Sequence, residues 1–243
     1  PNIIEQLFIP NNQLLESTLV GQCLLDNRLL FPHQGAKAKF MGYALSQKKK
    51  MLVKRDNMNA LSFAEQTFGG MIVTGHGKDY IAEHLKGLKY TFEKEGITWK
   101  ENNLHVQIGD IHIQKNITFL KAQEQVSGRV GRFSGRHADF VSKYGYDTKF
   151  ASHLIRLLLE GKELLMTGKL EFPLPYADVI LGIKEGKMTV EEVMEAADSL
   201  ENEINEDLRK GKCVVPKKPN HKQVESLLMG LVETHWDLKS VGG

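Results

Sequence analysis

The sequence predicts a mainly helical α+β protein: helical regions at both ends of the chain and, between them, a small inserted α/β subdomain containing a β-hairpin. Three observations carry this reading. Apolar residues recur at helical spacing toward both ends, helix start and stop signals bracket those stretches, and the middle is glycine-rich with two short alternating runs. The expected division is 1–58, 59–127 and 128–243. An apolar content of 41% with 26% charged residues is ordinary for a globular chain, and 243 residues can bury a real core.

The opening PNIIEQLFIPNN is short and apolar and closes on a turn. STLVGQCLLDNRLLF follows, with Leu19, Cys23 or Leu24, and Leu30 at helical spacing. A longer helix is expected from about Gly35 to Arg55, with Phe40, Met41, Ala44, Leu45, Lys48 and Leu52 facing inward. Lys39, Tyr43, Gln47, Lys50 and Lys54 share its other side. In the middle, GGMIVTG reads as a short strand and DYIAEHLKGL as a helix. LHVQIGDIHIQ reads as two strands joined by a Gly109-Asp110 turn, with glycine at the first central position.

Asp147 is placed to cap a helix that begins at Thr148, carries Phe150, Ala151, Leu154, Leu157, Leu158, Leu164 and Leu165 on its apolar side, and stops at Gly168. Thr189 and Glu192 form a capping-box pattern ahead of Val190, Val193, Ala197, Leu200, Ile204 and Leu208. KGKCVVPKKPN breaks that helix, and HKQVESLLMGLVETHWDL makes the last one.

Charge is unevenly spread. Arg28 to Arg55 holds eight Lys or Arg and no acid, while Glu185 to Asp207 holds nine acids and one base, Lys187. Such polarity points to an anionic ligand at one pole, or to two solvated faces. No stretch approaches the roughly 20 apolar residues of a membrane span and no export signal opens the chain, so a cytoplasmic protein without a membrane partner is expected. Cys23 and Cys213 have no second Cys or His at metal-ligand spacing and read as small thiols.

Phosphate-loop and dinucleotide motifs are absent, and GHG at Gly75 to Gly77 is too short to serve as one. No Asp-x-Asp appears, Asp110 stands alone in its hairpin, and the flanking His105 and His112 read as surface residues; no metal ligand is assigned. Arg129, Arg132 and Arg136 in GRVGRFSGRH fall three and four apart. On a helix they would align three guanidinium forks suited to phosphate, while the intervening glycines suit a flexible basic loop equally. Lys149, His153, Arg156 and Glu160 follow one another along the other side of the Thr148 helix. With Tyr43, Gln47 and Lys50 the basic members supply point charges, a fork, a stacking ring and an amide, enough to hold a triphosphate or a nucleic-acid backbone. They are expected to share one groove, with Lys54 and the three arginines as further nucleic-acid contacts. None of them alone performs a reaction.

PNIIEQLF, FMGYALSQKKK and KYGYDTKFASHLIRLLLEGKELLMTGKLEFPLP together resemble the predicted nucleotidyltransferases of the DNA polymerase β superfamily, the long bacterial and phage type called RNA-repair nucleotidyltransferases. The resemblance covers about Pro1 to Lys54 and Arg129 to Asp207, and it includes Tyr43, Gln47, Tyr146, Asp147, Lys149, His153 and Arg156. It leaves Tyr146 open to being a packed turn residue and Asp147 a plain cap. Members of the family carry a Gly-Ser motif, an Asp-x-Asp and a third carboxylate ahead of the matching region, and these hold the metals. The resemblance therefore implies a substrate-binding portion whose carboxylate segment is cleaved, encoded separately or otherwise outside this sequence. Mg or Mn would belong to the complete enzyme and not to this chain alone, with a nucleoside triphosphate and RNA or DNA as partners. A non-catalytic nucleic-acid-binding or regulatory protein derived from such an enzyme is the alternative.

Overall fold

The computed structural model describes residues 2–132, 140–141 and 143–241. In chain order the elements are α1 (Asn2–Gln6), α2 (Leu19–Asp26), α3 (Ala36–Met71), α4 (Leu85–Lys94), β1 (Lys100–Glu101), β2 (His105–Ile108), β3 (Ile111–Gln114), α5 (Phe119–Arg132), α6 (Thr148–Thr167), α7 (Ala177–Lys184), α8 (Val190–Arg209) and α9 (His221–Val241). The class is α+β and mainly helical. The chain divides into two compact units, Pro1–Lys48 with Ala151–Gly243, and Lys49–Phe150. A middle unit is therefore present, but it is wider than 59–127 because helical residues on either side fold with it. Among the described residues no helix is long and apolar enough to cross a membrane.

In the first unit the local signals do what their chemistry requires. Thr18 accepts from the Gly21 N–H at 3.1 Å and starts α2. The Thr189 and Glu192 box closes reciprocally, at 3.2 and 2.7 Å, and starts α8. Gly168, at φ 73°, ends α6 in the left-handed conformation that few side chains tolerate. The core is built from Phe40 and Ala44 on α3, Leu154, Leu157, Leu158 and Leu164 on α6, and Val193, Ala197 and Ile204 on α8. Lys48, expected in the inward stripe, keeps its ammonium on Asp198 at 2.6 Å. Gln47, expected on the open side of α3, is instead buried at 3% exposure. Both cysteines are free and half-buried.

Helices α3 and α6 approach closely, since a Cβ on Gly161 would stand 2.9 Å from the Phe40 Cβ. Gly161→Ala is therefore expected to lower stability by about 1–3 kcal/mol through overpacking, although alanine in a helix normally gains about 1 kcal/mol. Gly87→Ala on α4, where nothing lies within 4 Å, supplies the control and should stabilise. Denaturant midpoints of the two variants check the pair.

The second unit has its own core of Leu61, Phe68, Ile81, Leu88, Phe92, Trp99, Val106, Ile108, Ile113, Phe119 and Val126. Helix α3 runs past the expected end at Arg55 because Ala60, Leu61, Ala64 and Phe68 keep helical spacing and are buried. The strands form an antiparallel sheet in the order β1-β2-β3. Pairing of Val106 with Ile113 and of Ile108 with Ile111 gathers the apolar side chains on one face. The predicted hairpin is present. Gly109 has φ 57° and Asp110 no positive φ, and a Cβ at Gly109 would meet the Asn57 carbonyl oxygen at 3.0 Å. Turn geometry and crowding thus both select glycine.

Two expectations change here. GGMIVTG is not a strand: α3 continues through Gly69 and Gly70 to Met71 and passes into a π-turn over Ile72–His76, in which Gly75 has φ 94°. Phe68, Met71 and Ile72 lie three and four apart and pack on one core, so helical spacing prevails over the short apolar run. DYIAEHLKGL splits into a 3-10 turn at Ile81–Glu83 and the helix α4. For the arginine segment the structure chooses between the two readings as far as it is described: α5 runs through Gly128 and Gly131 to Arg132. Arg136 lies outside the described residues.

Candidate functional site

The expected set is divided between the units: Tyr43, Gln47, His153 and Arg156 belong to the first, and Lys50, Lys54 and Lys149 to the second.

In the first unit α6 carries His153, Arg156, Glu160 and Glu163 on successive turns. The row is not an open face. Glu160 is fully buried at 0% exposure, because its steps of three and four to Leu157 and Leu164 put it on the apolar stripe. Arg156 donates from Nη1 to Glu160 Oε1 at 3.1 Å and to Glu5 Oε2 of α1 at 3.4 Å. Its Nη2 lies 3.2 Å from His153 Nδ1, and the His153 ring meets Tyr43 edge-on at 5.8 Å. The fork expected to hold phosphate is thus turned on two carboxylates and an imidazole. Glu163 accepts from the Tyr176 hydroxyl at 3.2 Å and from the Glu171 N–H at 2.8 Å.

Burial pushes the Glu160 carboxyl up to about 8; the Arg156 charge opposes this, and the Glu5 charge and a hydrogen bond with Glu5 reinforce it. The physical picture is simple: one guanidinium between two carboxyls balances one negative charge, so the second carboxyl keeps its proton. Glu5 Oε1 and Glu160 Oε2 are buried without a hydrogen-bond donor, and that proton supplies one. Burial, followed by the charge of Glu163, likewise raises the Tyr176 hydroxyl. The Mg or Mn implied by the resemblance does not fit this acid pair, because Arg156 already stands as its cation. Sequence reasoning missed Glu5, Glu163 and Tyr176. The helical spacing of Glu160 among leucines was a usable signal; the distance of 151 residues between Glu5 and Arg156 left none for Glu5.

In the second unit Asp147 caps α6. Its Oδ1 accepts from the N–H groups of Lys149 at 3.2 Å and Phe150 at 3.3 Å, and Lys54 Nζ reaches its Oδ2 at 3.2 Å. Asp147→Ala is expected to destabilise by about 1–2 kcal/mol, the value of an N-cap, with Asp147→Asn retaining most of it; thermal unfolding of the pair checks this. Tyr146 is buried, as a packed turn residue would be. Lys54 Nζ stands 4.6 Å from the centre of the Phe150 ring and Lys50 Nζ 6.0 Å from it. Lys50 has no carboxylate partner among the described residues, and both it and Lys149 are exposed.

Arg129 and Arg132 do not form the open row of forks that their spacing suggested. Arg129 engages Asp110 of the hairpin turn through Nε and Nη2, which leaves Arg132 exposed without it. A basic feature that sequence reasoning did not single out lies in the first unit, where Asn11, Arg28 and Lys169 line a cleft of about 350 Å³ with Phe8, Pro10 and Leu170. Comparison of the chain with family models, with curated proteins and with solved structures gives no match.

Proposed function

We propose that this chain is the substrate-binding portion of a metal-dependent nucleotidyltransferase and holds the phosphates of a nucleoside triphosphate or of a nucleic-acid acceptor. The observation that carries the reading is the lysine group of the second unit. Lys50 and Lys54 stand over Phe150, Lys149 is exposed at the adjoining position, and the neighbouring carboxylate, Asp147, is engaged as a cap and by Lys54. Cations beside an aromatic ring suit a phosphate with a base stacked nearby. The resemblance in the segment KYGYDTKFASHLIRLLLEGK, which contains Lys149 and Phe150, supports the same assignment. In this reading the transfer step belongs to a carboxylate segment that this sequence does not contain, in a cytoplasmic enzyme.

Anisotropy of a labelled oligonucleotide or triphosphate tests the reading. Affinity should fall by roughly one log unit per log unit of salt for each duplex phosphate neutralised. Lys50→Ala with Lys149→Ala should weaken binding across sequences and reduce that slope by about 2. A salt-independent affinity, or a double variant that binds like the parent, would defeat the assignment. Labelled-nucleotide incorporation should be absent for the chain alone and appear with the carboxylate segment and Mg or Mn. Binding without transfer even then would identify a non-catalytic nucleic-acid-binding protein.

A further inference from the structure

Three metal-ligating groups outside the sets above meet where α3 ends. His76 closes the π-turn Ile72–His76, and Asp79 and His84 follow within the next turn of chain. His76 Nδ1 lies 2.7 Å from Asp79 Oδ2, and His84 Nε2 lies 3.1 Å from the same oxygen. All three donor atoms fall within 4.8 Å of one another. Ligands held about 2.0–2.1 Å from a tetrahedral zinc ion stand about 3.3 Å apart, so small side-chain movements bring the three onto one ion.

The segment is held in this shape by its backbone. Gly75, at φ 94°, turns the chain out of the helix. The Asp79 N–H donates to the His76 carbonyl at 3.0 Å, and the Asp79 carbonyl accepts from the Phe119 N–H at 3.1 Å. Just beyond, the Ile81 N–H donates to Ile117 at 3.0 Å and the Ala82 N–H to Lys115 at 2.9 Å. The His84 ring lies edge-on to Phe119 at 5.4 Å and to His76 at 5.3 Å. Asp79 and His84 are thus positioned by bonds to the chain leading into α5 before any ion arrives, which is what a preorganised site requires.

We propose that His76 Nδ1, Asp79 Oδ2 and His84 Nε2 form a binding site for a first-row divalent transition metal, with Zn²⁺ favoured and water in the remaining position. The donor set selects the ion. Two imidazoles and one carboxylate suit zinc and its neighbours, whereas Mg²⁺ and Ca²⁺ take shells of oxygen. Three protein ligands leave a tetrahedral position open, and His76 at 47% and Asp79 at 36% side-chain exposure give a water access to it. The GHG of Gly75 to Gly77, too short for a phosphate cradle, thus has a role as the turn that delivers His76. This assignment does not depend on the phosphate-binding reading.

The test uses the whole chain after treatment with a chelator and dialysis. Zn²⁺ is titrated in competition with a chromophoric chelator, and Co²⁺ is added separately to record its visible absorption. One ion per chain is expected, with the intense Co²⁺ bands of a four-coordinate site. His76→Ala and His84→Ala should each lower the affinity by roughly 100-fold or more, above the 10–100-fold typical of outer-shell changes. Asp79→Asn should lower it as well while preserving hydrogen bonding to the rings. The His105→Ala, His112→Ala double variant, which removes the pair on β2 and β3, should bind like the parent. Far-UV circular dichroism checks folding, and because His76 is exposed its variant remains informative if His84→Ala unfolds. No zinc binding, a His76→Ala protein with parental affinity, or loss of binding in the hairpin double variant would each overturn the assignment.

Discussion

Raising the pH from about 5 to about 9 is expected to remove on the order of 4 kcal/mol of stability through Glu160. The carboxyl is pushed up to about 8 in the folded chain, from an ordinary value of 4.5, first by burial and then by Glu5. The folded state therefore binds this proton more tightly than the unfolded state. The contribution is fully present below the unfolded value and is lost as pH rises through the folded one, after which it levels off. Glu160→Gln should abolish most of that dependence, because its amide can donate to Glu5 and accept from Arg156 without titrating. Arg156→Ala should act differently: it strands the buried Glu160 and the half-buried Glu5 and is expected to destabilise by about 3–5 kcal/mol near neutral pH. Denaturant midpoints measured across the pH range separate these outcomes. A slope that survives in Glu160→Gln would assign the titration to other groups.

Phe92→Ala is expected to lose about 3–5 kcal/mol, enough to unfold a marginal domain. Phe92 is fully buried at the centre of an aromatic cluster, with Phe63 at 5.1 Å, Trp99 at 5.4 Å and Phe68 at 6.5 Å between ring centres. Deleting the ring removes its own burial and the edge-to-face contacts of its neighbours together. Tyr90→Ala, two residues away on the exposed side of α4, should stay within about 0.5 kcal/mol. The chain carries its own reporters, since Trp99 is buried in the second unit and Trp236 is exposed in the first. A red shift confined to Trp99 would show the second unit unfolding by itself, whereas a parental midpoint for Phe92→Ala would show that the cluster contributes little.

Much of the architecture was legible from local spacing. Asp147, the Thr189 and Glu192 box, Gly168 and the Gly109 turn each satisfy a backbone requirement within a few residues, so the pattern and the structure it causes occupy the same short stretch. The class of mainly helical α+β follows from the same signals. Where the chain had to choose between two local readings, the surrounding core chose. GGMIVTG is apolar enough for a strand, but Phe68, Met71 and Ile72 complete the helical stripe that packs on Phe92 and Phe119, and α3 continues through it.

The candidate sites were legible only as residue types. The sequence by itself determined that Lys50 and Lys54 share one side of a helix, that Lys149 lies in the first turn of another, and that His153, Arg156 and Glu160 fall on its successive turns. Tertiary structure decided which partners these charges meet. Glu5 approaches from 151 residues away to take Arg156, Asp110 takes Arg129 from 19 residues away, and Glu160 is closed in among leucines. His76, Asp79 and His84 lie close in sequence, yet only the left-handed Gly75 and the backbone bonds to Lys115, Ile117 and Phe119 turn them toward one point. Periodicity describes which side of a helix a residue is on, and the free energy that orients a charged group comes from whatever that side meets when the chain folds.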